Sequence, residues 1–129
     1  SPYPMLAVYS ATDDDLVYNM TKAMHIHFDD YQESAPGMEG WAMDRQKIET
    51  SFVPFHDGAV EYFKELDLWT DAAQANHDLQ VRRQEVLIAA WEAYTADAPS
   101  DDDEFANGWM AARYEALTEN DLIPLMENW

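Results

Sequence analysis

Four histidines, His25, His27, His56 and His77, are the residues best equipped for chemistry in a chain that contains no cysteine. Without thiols there is no disulfide and no thiolate chemistry. His25 and His27 resemble a metal pair. On a helix, however, two residues apart point about 200° from each other, so one ion cannot take both. The spacing predicts one histidine at the edge of the core and one exposed. No His-Glu-x-x-His, EF-hand, Gly-rich phosphate loop or Gly-x-Ser-x-Gly pattern occurs. The runs Asp13–Asp15 and Asp101–Asp103 have the composition of calcium sites. Each follows a Thr or Ser and opens a helical pattern, so capping by Thr12 and Ser100 accounts for them. No carboxylate pair stands out among 26 acidic residues, and no Ser or His sits in a recognisable nucleophile arrangement. The chain is therefore expected to be no enzyme and to hold no cofactor or metal.

His56 follows the turn at Pro54 and stands at the start of a short helix, where the dipole favours a neutral imidazole. Its expected role is structural: a ring nitrogen bonded to nearby backbone. Arg82-Arg83, a lone basic doublet, is expected to form ion pairs on a helix face rather than to bind an anion. Tyr62, Phe63, Trp69, Trp91 and Trp109 recur at helical spacing, which predicts core positions rather than a ligand pocket.

These groups must be positioned by roughly one domain's worth of chain, 129 residues with 47% apolar content. Five Trp, seven Tyr and five Phe suffice for a packed core. The net charge is −19 and evenly spread, −9 up to Trp69 and −10 beyond it. Such a surface repels phosphate backbones and anionic lipid, so nucleic acid and membrane surfaces are unfavourable partners. An even acidic coat suits salty surroundings, where screening relieves self-repulsion. No apolar run is long enough to span a bilayer. The chain opens Ser1-Pro2-Tyr3-Pro4 without Met, as expected of a processed or excised piece.

The pattern predicts a mainly α protein with at most one or two short strands near the N-terminus. Residues 3–10 form a short apolar run that suits a strand needing an outside partner. A helix is expected over Asp13–Glu33, carrying Val17, Met20, Met24, His27, Phe28 and Tyr31 at helical spacing. A short helix is expected over Trp41–Ser51, and another over Gly58–Leu66 after Pro54. The longest, Asp71–Asp97, shows an apolar face of Leu79, Val86, Leu87, Ala90, Trp91 and Tyr94. A last helix begins near Asp101, with Phe105, Trp109, Ala112 and Leu117 as its stripe. The short link at Pro99 makes the last two an antiparallel hairpin. The apolar tail Leu122–Trp129 is expected to drape over it. The expected organisation is 1–69 and 70–129.

Two stretches resemble a known family. Pro2–Ala11, followed by Asp15-Leu16-Val17-Tyr18-Asn19-Met20-Thr21-Lys22-Ala23, resembles the late region of TAXI-family solute-binding proteins, the extracytoplasmic receptors of TRAP transporters. Val53-Pro54-Phe55-His56-Asp57-Gly58-Ala59-Val60-Glu61-Tyr62-Phe63-Lys64-Glu65 is similar to that family's Pro-x-His-Pro-Gly-Ala-x-x-Tyr-Tyr-x-Glu signature, with Asp57 in place of a proline. The resemblance covers about residues 2–66. It implies the end part of a two-lobe α/β periplasmic receptor that closes on a small organic anion, a dicarboxylate or an amino acid. Such a receptor passes its ligand to sodium-coupled TRAP membrane subunits. Residues 70–129 then form a helical extension. The resemblance carries over no ligand residues; His56, Tyr9 and Tyr62 stand as candidates for ligand contact. A fragment of this kind is expected to expose surface that the missing lobes cover, which favours self-association. The alternative is a self-contained acidic helical interaction module without a ligand.

Overall fold

The computed structural model describes residues 5–124. Its regular structure is helical: α1 (Asp14–Ile26), α2 (Phe28–Tyr31), α3 (Asp57–Glu65), α4 (Asp71–Thr95) and α5 (Asp102–Glu119). Three 3-10 turns, Met38–Trp41, Met43–Arg45 and Ile48–Thr50, link α2 to α3. The chain divides into two compact units between His77 and Asp78, within α4.

In the first unit α1 crosses α3. Asp13 caps α1 by accepting from the Leu16 amide at 3.0 Å. The cap therefore falls one residue later than the expected Thr12, on a carboxylate that also favours the helix dipole. Likewise Asp101, not Ser100, caps α5, accepting from the Asp103 and Glu104 amides. The crossing is close because Gly58 faces α1. A Cβ there would lie 2.2 Å from the Asp14 carbonyl oxygen and 2.9 Å from the Tyr18 nitrogen.

Around the crossing, Val17, Ile48, Ala59, Phe63 and Ala73 form the buried core, with Met43, Phe55 and Trp69 packed against it. Phe55 meets Phe63 edge-on at 5.2 Å, and Trp69 stacks on Phe63 at 6.4 Å. Thr70 caps α4 by accepting from the Ala73 amide and donates to Glu49. After α3 the chain turns at Asp67 (φ 57°), with the Leu68 amide returning to the Phe63 carbonyl at 2.9 Å. This is a left-handed helix termination in which Asp stands where Gly is commonest.

Several expectations are corrected. Met5–Tyr9 forms no strand: it has no regular structure and is exposed, and the Tyr9 carbonyl accepts from the Thr12 amide. No strand occurs among the described residues, because the segment meets no edge to pair with. The rest of the proposed 3–10 run, Tyr3-Pro4, lies outside them, as does the tail from Leu125.

The single helix expected over 13–33 is broken at His27, which leaves helical geometry (φ −102°, ψ 13°). The Tyr31 hydroxyl donates to the Met24 carbonyl at 2.8 Å, satisfying an acceptor that a continuous helix would have paired with backbone. The helix expected over 41–51 is instead the succession of 3-10 turns, interrupted by extended backbone at Ala42 and Gln46. Met43 and Ile48 both meet the core. Five residues apart, they could not share one face of an α-helix.

The second unit is an antiparallel pair, the end of α4 against the start of α5 and the reverse. Trp91 and Tyr94 meet Phe105 and Trp109 at centroid distances of 4.9–5.9 Å. At the other end Leu117 and Leu122 are buried, and Arg83 donates to the Ile123 carbonyl at 2.6 Å. The face expected for α4 holds in part: Val86, Leu87, Ala90 and Tyr94 are half-buried, whereas Leu79 and Trp91 are each 43% exposed and Gln80 and Arg83 are buried. Arg83 tolerates burial because a carbonyl receives its guanidinium, and burial beside Arg113 lowers its pKa. Arg82 donates to the Asn120 carbonyl. Among the described residues, the doublet thus bonds backbone acceptors past the end of α5.

Gly58→Ala should destabilise the first unit by about 1–3 kcal/mol or more through overpacking of backbone on backbone. Urea denaturation checks this, and an unchanged midpoint would contradict the close crossing.

Candidate functional site

The α1–α3 crossing assembles the chain's densest polar cluster. α1 presents Tyr18, Lys22 and His25 at i, i+4 and i+7, a single stripe. Across from it α3 presents Tyr62 and Glu65. The Tyr18 hydroxyl donates to Glu65, and Lys22 donates to both the Tyr18 oxygen and Glu65 Oε1 at 3.0 Å. The Lys22 ammonium also lies over the Tyr18 and Tyr62 rings, 5.2 and 5.6 Å from their centroids. Tyr62 is 2% exposed, and its hydroxyl lies 2.8 Å from His25 Nδ1.

The electrostatics follow from these contacts. The Tyr18 hydroxyl, then Lys22, holds the Glu65 carboxyl below its ordinary range. Hydrogen bonds to Tyr18 and Glu65 push Lys22 up. Burial raises the Tyr62 phenol. These shifts hold Lys22 charged, Glu65 ionised and Tyr62 neutral at neutral pH, so the cluster behaves as a clamp between two helices.

His56 caps α3. Its Nδ1 accepts from the Gly58 amide at 3.2 Å and lies 3.6 Å from Asp14 Oδ1. An accepting Nδ1 leaves the ring proton on Nε2, a buried atom without a hydrogen-bond partner. The other histidines stand apart. His27 lies 3.0 Å from Asp30 on the surface, and His77 packs edge-on against Trp69 at 5.5 Å. Among the described residues no group of three or more His, Asp or Glu is placed to hold a metal ion.

The three residues proposed for ligand contact do not converge. His56 faces the base of α3, Tyr62 is buried in the crossing, and Tyr9 is 88% exposed on the N-terminal segment. What sequence reasoning missed is the Tyr18–Lys22–Glu65 cluster. The i, i+4 spacing of Tyr18 and Lys22 was its local signal; the pairing with Glu65 depends on the crossing.

His25 also borders an open groove of about 780 Å³. Its apolar floor is Ile26, Phe28, Met43 and Leu66, with Leu68 at the exit of α3. Asp29, Glu39 and Asp44 stand in the same lining beside Arg45. The groove spans the break at His27, with His25 and Ile26 of α1 and Phe28 and Asp29 of α2 in its lining.

With this geometry in view, the comparisons with known proteins are specific to the first unit. Residues 3–66 match the NMT1-like family. That family is a binding-protein family related to the periplasmic binding proteins of transporters. The matched span ends just past α3 and takes in both helices of the crossing, the polar cluster and His56. No curated protein and no solved structure matches the chain. No described helix is long and apolar enough to cross a membrane.

Two predictions follow from the polar contacts. A carboxyl with a lower pKa folded than unfolded stabilises the fold above its unfolded value, and that stability fades as pH falls through the folded value. Glu65→Gln should therefore be less stable than the parent at neutral pH, with the gap closing below about pH 4. Chemical denaturation across pH 2–8 measures it, and a pH-independent gap would contradict the clamp. His56→Ala should cost about 0.5–2 kcal/mol through loss of the cap, whereas His56→Asn should retain much of it. Equal losses in both variants would exclude a capping role.

Proposed function

We propose that this chain is the C-terminal portion of a TAXI-type solute-binding receptor of a TRAP transporter. In this reading residues 1–69 are the end of the receptor and residues 70–129 a helical extension. The intact receptor works in the periplasm. It captures a small organic anion, a dicarboxylate or an amino acid, by lobe closure without covalent chemistry, and delivers it to the membrane subunits.

The observation that carries this reading is the coincidence of two spans. The NMT1-like match covers residues 3–66, and the two TAXI-like stretches occupy the same region. The N-terminal segment favours a receptor over a self-contained module. Met5, Leu6, Val8 and Tyr9 are each between 46% and 88% exposed on backbone without regular structure. Such a segment suits a strand whose sheet lies elsewhere in the receptor. The scarcity of cations near the crossing also fits a cleft completed by other residues, since a carboxylate ligand needs cationic or N–H donors.

The test is the uninterrupted coding frame around these residues. It should carry a signal peptide and about 200 residues of two-lobe pattern ahead of Ser1. The purified intact receptor should bind a dicarboxylate or glutamate by calorimetry, and residues 1–129 alone should not. An initiator Met immediately ahead of Ser1 would overturn the proposal.

A further inference from the structure

An open groove lies beside His25, apart from the Tyr18–Lys22–Glu65 contacts of the helix clamp. Its floor leaves large apolar side chains in solvent: Ile26 is 62% exposed and Leu68 36%. Its lining carries Asp29, Glu39 and Asp44 against Arg45, within a chain of net charge −19. An open groove of about 780 Å³ does not enclose a small molecule on most sides, as small-ligand pockets do. It suits side chains inserted from a partner's surface.

The lining also narrows the kind of partner. Its described elements are helices and turns, and none offers a sheet edge for strand addition. Proline-rich segments need an aromatic-lined groove, and Phe28 is the single aromatic carbocycle here. What remains is a helix that lays apolar residues at i, i+3, i+4 and i+7 into the floor. The carboxylates then select cations along its flanks, where attraction steers encounter and rejects acidic partners. We propose that the groove formed by α1, α2, the Met38–Arg45 turns and the end of α3 docks a cationic amphipathic helix of a partner protein. In the receptor reading, the inference requires that the remaining lobes leave this groove open.

The test uses the full 129-residue chain and a fluorescein-labelled Leu/Lys amphipathic peptide of about four turns. Anisotropy should show saturable binding, and amide shifts should map to Ile26, Phe28, Met43 and Leu68. Ile26→Asn/Leu68→Asn, at exposed positions, and Asp29→Asn/Glu39→Gln/Asp44→Asn should each weaken binding by about tenfold or more. Circular dichroism confirms that both remain folded. Neutralising Glu92, Glu104 and Glu115 should change affinity by less than about twofold. Binding of a scrambled peptide of the same composition with equal affinity would reduce the effect to bulk charge and overturn the proposal. So would equal weakening by the control triple variant. Concentration-dependent shifts of the groove amides without peptide would assign the groove to a second copy of the chain and also overturn it.

Discussion

The first unit depends on the approach of two helix backbones at Gly58. A missing side chain lets the start of α3 settle against the Asp14 carbonyl and the Tyr18 amide. That contact sets the separation at which everything else on the interface must fit. Val17 and Ala59 close the apolar side of the crossing. On the polar side, Lys22 reaches across to Glu65, and the Tyr62 hydroxyl reaches His25. With α3 displaced outward, the ammonium–carboxylate distance of 3.0 Å would lengthen and the Tyr62 hydroxyl would lose its partner. Packing and polar pairing are therefore coupled through one position.

His56 connects this crossing to the loop before it. The imidazole accepts from the Gly58 amide, so the residue that caps α3 acts on the residue that makes the crossing possible. Pro54 and Phe55 bring the chain in, and Phe55 inserts edge-on against Phe63. The aromatic group Phe55, Phe63 and Trp69 then leads to Thr70, which caps α4. The stretch from Val53 to Glu65 thus works as a structural joint. The NMT1-like match takes in the whole of this joint.

Much of this was legible in the residues. Helix starts are local events, and Asp clusters after Thr12 and Ser100 marked two of them within one residue. The α3 stripe and the role of His56 also follow from short-range rules, because a cap and its amide partners lie within one turn. The break at His27 was not legible. It depends on the Tyr31 hydroxyl taking the Met24 carbonyl, a competition between side chain and backbone that apolar periodicity does not register. The stretch 41–51 misled for a related reason. Its apolar residues satisfy a core that α1, α3 and Ala73 create, not a stripe of their own.

Composition and local pattern by themselves determined that the chain is mainly helical, acidic throughout and without thiol chemistry, and that a turn at Pro54 feeds a helix capped near His56. These properties depend on residues within a few positions of each other, or on sums over the whole chain. Only the tertiary structure decided that Lys22, Tyr18 and Glu65 form one cluster, that Arg83 is buried while Leu79 is not, and that an open groove forms beside His25. Each of these rests on which helix faces meet. That choice is made by the close packing of non-adjacent segments, as at Gly58, where a Cβ would meet the backbone of α1.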